Sequence, residues 1–131
     1  MKIDNETYNR LINNSINVKH NKYHNKKVLY DNIKFDSKKE SKRYYELKLL
    51  EKAKLITELE TQKKFELQES FYDNNGKKQR AITYTVDFFY HDELKKVYIA
   101  EDVKGYATDV YKIKKKLFMY QYPNIVFKEI K

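Results

Sequence analysis

The sequence predicts an α/β fold: one domain with a central mixed sheet of about four strands flanked by helices, in the order helix, three strands, helix, strand. Three observations predict it. An S-x-x-E box at Ser37 opens a run with helical spacing. Ile56 to Gln68, Ala81 to Tyr90 and Val97 to Gly105 carry strand-like patterns separated by turn signals. A second helical run then separates Val97 to Gly105 from a last apolar run, Ile125 to Ile130, and a strand that reaches its neighbour through a helix makes a parallel crossover.

Taken in order, residues 1–27 read as a basic N-terminal extension and residues 28–131 as the domain proper. A short helix is expected around Glu6 to Asn13. The tract Lys19 to Lys27 has no period and reads as a basic arm. His20 and His24 in that arm have helical ligand spacing, but the third histidine, His91, is distant, and two solvated histidines are the simpler reading. Val28 to Phe35 reads as a small hairpin turning at Asp31-Asn32. The helix that follows runs from the Ser37 cap to about Lys54, with Glu40, Tyr44, Leu47, Leu50 and Lys54 on one stripe.

After the strand Ile56 to Gln68, Asp73-Asn74-Asn75-Gly76 is a turn. The next strand places Ile82, Tyr84, Val86, Phe88 and Tyr90 on one face, and Thr83, Thr85, Asp87 and Phe89 on the other. Asp92-Glu93 turns the chain into Val97 to Gly105. On this strand Val97, Ile99, Glu101 and Val103 share a face, while Tyr98, Ala100, Asp102 and Lys104 share the opposite one. Thr108 or Asp109 caps a second helix to about Tyr120, its buried stripe being Val110, Ile113, Leu117 and Tyr120, with Lys112, Lys115 and Lys116 on another face. Pro123 stops it.

Bulk composition narrows the function classes. The 131 residues carry 28 Lys+Arg against 19 Asp+Glu, a formal charge of +9. That excess points to a polyanionic partner such as nucleic acid, although a basic balance also serves solubility alone. Thirteen Tyr and seven Phe lie among the lysines and offer stacking surfaces as well as core. The absence of Cys excludes disulfides and thiolate metal sites. No run approaches the roughly 18 apolar residues of a membrane span and no apolar leader opens the chain, so it reads as soluble and cytoplasmic. Two Gly and one Pro leave no Gly-rich phosphate loop and hence no nucleotide cofactor held that way.

The chemistry concentrates at Asp87, at Asp102-Val103-Lys104 and at Glu40. Charged groups inside strands that otherwise read as core are costly unless a metal or a pairing compensates. Asp102 and Lys104, two apart on one strand face, lie about 7 Å apart at Cα and can reach one small site. Carboxylate oxygens are hard donors that favour Mg²⁺ or Mn²⁺ with several waters retained.

At these residues the chain resembles the PD-(D/E)XK nuclease superfamily, whose pattern is an acid on one strand and D/E-x-K on the next. Thr85-Val86-Asp87-Phe88 matches the first element, with Val86 where the proline often stands, and Asp102-Val103-Lys104 matches the second. A closer resemblance is to short phage-encoded, resolvase-like members, through Phe35-Asp36-Ser37-Lys38-Lys39-Glu40, Asp87-Phe88 and Asp102-Val103-Lys104-Gly105. It spans about Tyr23 to Lys131. The resemblance implies a restriction-endonuclease-like domain and a Mg²⁺-dependent DNA endonuclease, with Mn²⁺ as substitute. Asp87 and Asp102 would be metal ligands with the Val103 carbonyl, Lys104 would position the attacking water, Glu40 would complete the site, and Gln62 would be accessory. Branched DNA and a homodimer making paired cuts are further expectations of that resemblance.

Each residue also has a plainer role. Glu40 is the N3 acid of a capping box, Asp102 and Lys104 make an ion pair, and Lys112, Lys115 and Lys116 form a solvated face or a phosphate-contacting one. Glu101 rivals Asp102 as the strand acid, but only Asp102 shares a face with Lys104. The alternative from another class is a nucleic-acid-binding phage protein, without catalysis, on a degenerate nuclease fold.

Overall fold

The computed structural model describes residues 28–30, 33–104 and 106–131, the first three by backbone alone. The expected helix at Glu6 to Asn13, the basic arm with His20 and His24, the Asp31-Asn32 turn and Gly105 lie outside the described residues. The chain forms two compact units, one ending at Thr57 and one running from Glu58 to Lys131.

In the first unit, β1 (Val28–Tyr30) pairs antiparallel with β2 (Ile33–Phe35), Tyr30 opposite Ile33, so the expected hairpin forms. α1 (Lys38–Lys52) starts where Ser37 accepts the Glu40 N–H at 3.2 Å, the first half of the capping box. Its buried side chains are Ser41, Tyr44 and Leu47. The expected stripe through Leu50 to Lys54 ends early, because the helix stops at Lys52. Lys54 turns left-handed at φ 62°, and the Leu55 N–H returns to the Leu50 carbonyl. Among the described residues of this unit Phe35, Tyr44, Leu47 and Ile56 are the buried apolar ones, with the Phe35 and Tyr44 rings 5.1 Å apart.

The second unit is built on a four-stranded sheet of order β3-β6-β7-β8: β3 (Ile56–Gln68), β6 (Ile82–Asp92), β7 (Val97–Val103) and β8 (Ile125–Ile130). β6 and β7 are antiparallel, while β7 and β8 are parallel and joined through α2 (Asp109–Gln121), so the sheet is mixed and the crossover is present. A ribbon, β4 (Phe71–Tyr72) with β5 (Lys78–Gln79), interrupts the path from β3 to β6. Gly76 takes the positive φ, 76°, that its turn requires.

Phe65, Leu67, Tyr84, Val86, Ala100, Tyr111 and Phe118 form the core between the sheet and α2. Phe118 is fully buried, with the rings of Phe65, Tyr122, Tyr84 and Phe127 all within 5.9 Å. This corrects the expected stripe of α2. Val110 and Ile113 are 63% and 61% exposed, Tyr120 and Leu117 are exposed too, and the buried side chains are Tyr111 and Phe118. The helix offers two apolar stripes, and the one carrying two aromatic rings buries more area and satisfies the Tyr111 hydroxyl. Val110, Ile113 and Leu117 instead line a groove of about 440 Å³ beside Ala81–Thr83.

β6 also departs from strict alternation. Tyr84 and Val86 pack on the α2 side with Ala100, yet so does Phe89, which lies opposite Ala100. Phe88 and Tyr90, opposite Glu101 and Ile99, therefore face the other way, and the strand changes face at Asp87, where the β6–β7 ladder stops. The side-chain sorting expected for residues 82–90 holds only in two halves. β3 carries irregularities of its own, Glu58 and Gln62 being left-handed at φ 57° and 52°.

Candidate active site

The ladder's end at Phe88 and Glu101 leaves the next part of β7 to the Asp87 side chain. Its Oδ2 accepts the Val103 N–H at 2.7 Å, and its Oδ1 accepts the Gln62 amide at 3.2 Å. The carboxylate of the first motif thus touches the backbone at the centre of Asp102-Val103-Lys104. Gln62 reaches it from a left-handed position on β3, as Glu58, the other left-handed residue of that strand, accepts the Tyr98 hydroxyl at 2.8 Å. Each kink re-aims a polar side chain toward another strand.

Asp102 is buried on the α2 face. Its Oδ2 accepts a short hydrogen bond from the Tyr84 hydroxyl and lies 3.4 Å from Lys104 Nζ. The Lys104 ammonium also sits 4.4 Å from the centroid of the Tyr111 ring, a cation–π seat. Tyr111 in turn donates to Glu129 Oε2 at 2.6 Å, and Lys115 Nζ reaches the same oxygen at 3.2 Å. Glu129 stands opposite Asp102 in the parallel β7–β8 register, so the two acids share a side of the sheet. A carboxylate as buried as Asp102 holds only where its atoms find partners, and here the Tyr84 hydroxyl and the Lys104 ammonium supply them, while the Tyr111 ring seats the ammonium and its hydroxyl serves Glu129.

Titration follows from these contacts. Burial, then the hydrogen bond to Asp102, raises the Tyr84 phenol far above its usual value, with the charge of Asp87 adding to it. Tyr111 is raised by burial, then by its bond to Glu129, and again by the charges of Asp102 and Asp87. Glu129 is lowered, first by the Tyr111 hydroxyl and then by Lys115. The charges of both site aspartates thus act on the same pair of phenols.

Of the residues named from sequence, Gln62, Asp87, Asp102, Val103 and Lys104 meet here. Glu40 belongs to the first unit, on the first turn of α1. Lys112 and Lys116 are exposed on α2, whereas Lys115 is committed to Glu129 and stands over the Phe127 ring at 5.4 Å. Glu101 is fully buried on the opposite face, where its carboxylate accepts from the Tyr90 hydroxyl. Tyr84, Tyr111 and Glu129 were not singled out from sequence. Glu129 was within reach of it, since a parallel crossover aligns Ile125 to Ile130 with Tyr98 to Val103; the tyrosines carried no local signal apart from core.

No group of three or more His, Cys, Asp or Glu side chains poised for a metal occurs among the described residues. Asp87 and Asp102 supply two hard carboxylates, a donor set that fits in kind an ion retaining most of its waters. Among the described residues no helix is long and apolar enough to cross a membrane.

No curated protein and no solved structure matches the chain. Residues 20–131 match the model of a family described as "Protein of unknown function (DUF1064)". That match takes in both described helices, the eight described strands and every residue of the candidate site, and the chain belongs to the DUF1064 family.

Proposed function

We propose that residues 28–131 form a PD-(D/E)XK nuclease domain, that residues 1–27 are a basic extension to it, and that the protein is a Mg²⁺-dependent phage or prophage DNA endonuclease acting in the host cytoplasm. The observation that carries the reading is the hydrogen bond from the Val103 N–H to Asp87, which joins the acid of one strand to the D-x-K triplet of the next. The mixed sheet, the crossover through α2 and the charge of +9 support it.

In this reading Asp87, Asp102 and the Val103 carbonyl would hold the ion, Mg²⁺ or Mn²⁺, with Gln62 accessory. When bound, such an ion supplies acidity to a hydrolytic water and positive charge opposite the scissile phosphate. The chain's own residues do the rest. Tyr84 and Lys104 fix the rotamer of Asp102, and the Val103 N–H and Gln62 fix that of Asp87. Lys104, seated on Tyr111, presents an ammonium that orients a water or a phosphate oxygen for in-line attack. Exposed Lys112 and Lys116 offer phosphate contacts along α2. Branched DNA is the proposed substrate, cut by a homodimer.

The test is cleavage of supercoiled plasmid and of a four-way junction with Mg²⁺ or with chelator. Cleavage that needs the ion and disappears in Asp87→Ala and Lys104→Ala supports the reading. Tight DNA binding with no cleavage under any divalent ion replaces it with the non-catalytic binding protein.

A further inference from the structure

The β4–β5 ribbon has no part in the site described above, and its two faces differ. Register pairs Phe71 with Gln79 and Tyr72 with Lys78, and residues directly opposite in an antiparallel pair project to the same side. One side carries half-exposed Phe71 and the contacts of the ribbon's own turn. The Asp73 carboxylate accepts the N–H groups of Asn75 and Lys77 and the side-chain amide of Gln79, at 2.9 to 3.0 Å. Those bonds hold Asp73 below the usual carboxylate range, the Lys77 N–H contributing most. The other side presents Tyr72, 69% exposed, beside Lys78, with exposed Arg80 two residues on.

An exposed tyrosine flanked by cations on a two-stranded ribbon whose turn is already ordered is poorly explained by folding alone. It buries little, and its one carboxylate, Asp73, is taken up by the turn's own N–H groups and the Gln79 amide, while Lys77, Lys78 and Arg80 are exposed, so the ribbon's charge is net positive. Phosphates complement that charge, and a tyrosine ring packs on a sugar or an unstacked base. Because the turn is braced, little conformational freedom remains to be lost on binding.

We propose that the β4–β5 ribbon is a nucleic-acid contact arm, with Lys78 and Arg80 on backbone phosphates and Tyr72 stacked against a sugar or base. The proposal rests on the nucleic-acid reading above and adds to it a contact surface outside the cleavage site. Both strands joined by the ribbon lead into that site, since β3 carries Gln62 and β6 carries Asp87.

The experiment is fluorescence anisotropy of the full chain with a labelled duplex and the matching single strand, over a range of KCl and without divalent metal. Circular dichroism checks that each variant folds. Lys78→Ala/Arg80→Ala is expected to flatten the slope of log affinity against log salt by about two units on duplex. Lys78→Glu is expected to weaken binding further. Tyr72→Ala is expected to weaken single-strand binding about tenfold with little change of slope. Wild-type binding together with an unchanged slope in the double variant overturns the arm and leaves the nuclease reading standing. A wild-type chain that binds neither nucleic acid overturns both.

Discussion

Asp87 Oδ2 accepts the backbone N–H of Val103 at 2.7 Å, so a side chain on β6 occupies the place where a strand ladder would continue. The residue proposed to bind a metal is also a structural clasp between two strands. Those roles can be separated. Asp87→Asn keeps an oxygen for the Val103 N–H but loses the charge, and it is expected to cost about 1 kcal/mol of stability while lowering cleavage by more than about 100-fold. Chemical denaturation beside a cleavage time course checks it. A large loss of stability with cleavage retained would reverse the assignment.

Tyr84 supplies the hydroxyl that satisfies buried Asp102. Tyr84→Phe leaves that oxygen to Lys104 alone, and a loss of about 1–3 kcal/mol is expected in urea unfolding. A change within about 0.5 kcal/mol would mean the bond contributes nothing net.

The same phenols set an alkaline limit. Tyr84 and Tyr111 are raised above the usual 10.0, so the fold retains two protons that the unfolded chain releases. Their stabilising contribution is complete below pH 10.0 and is lost as pH rises above it. Denaturation midpoints are expected to fall through that range, less steeply in Tyr84→Phe. Equal slopes in the two proteins would contradict the burial of that hydroxyl.

Phe118 and Ile113 test which stripe of α2 is core. Phe118→Ala is expected to cost about 3–5 kcal/mol, whereas Ile113→Ser, on the exposed side, is expected to stay within about 0.5 kcal/mol. Thermal and chemical unfolding of the two variants decides it, and a comparable loss in both would restore the stripe expected from sequence.

That helix shows where sequence patterning stops being sufficient. Local chemistry was legible: Ser37 and Thr108 cap the helices as expected, β3 and β8 span the expected residues, and the pleat of β7 separates Asp102 from Glu101. Choices made by tertiary packing were not. Val110, Ile113, Leu117 and Tyr120 have good helical spacing, and nothing local says that Tyr111 and Phe118 fill the sheet's aromatic layer better. The face change at Asp87 and the left-handed Glu58 and Gln62 are backbone departures at non-glycine residues, which alternation cannot register. At the site, the aspartates and lysine were visible as a motif. Their support by Tyr84, Tyr111 and Glu129 depends on register and on which helix face turns inward.

The central claim is that Asp102, not its neighbour Glu101, is the strand acid of a metal-dependent nuclease. Single-turnover cleavage of a four-way junction in Mg²⁺ by Asp102→Asn and Glu101→Gln measures it directly, since each variant keeps an oxygen for its tyrosine. Loss of cleavage by more than about 100-fold in Asp102→Asn with near wild-type rates in Glu101→Gln is the predicted result. Cleavage that survives Asp102→Asn and fails in Glu101→Gln would contradict it.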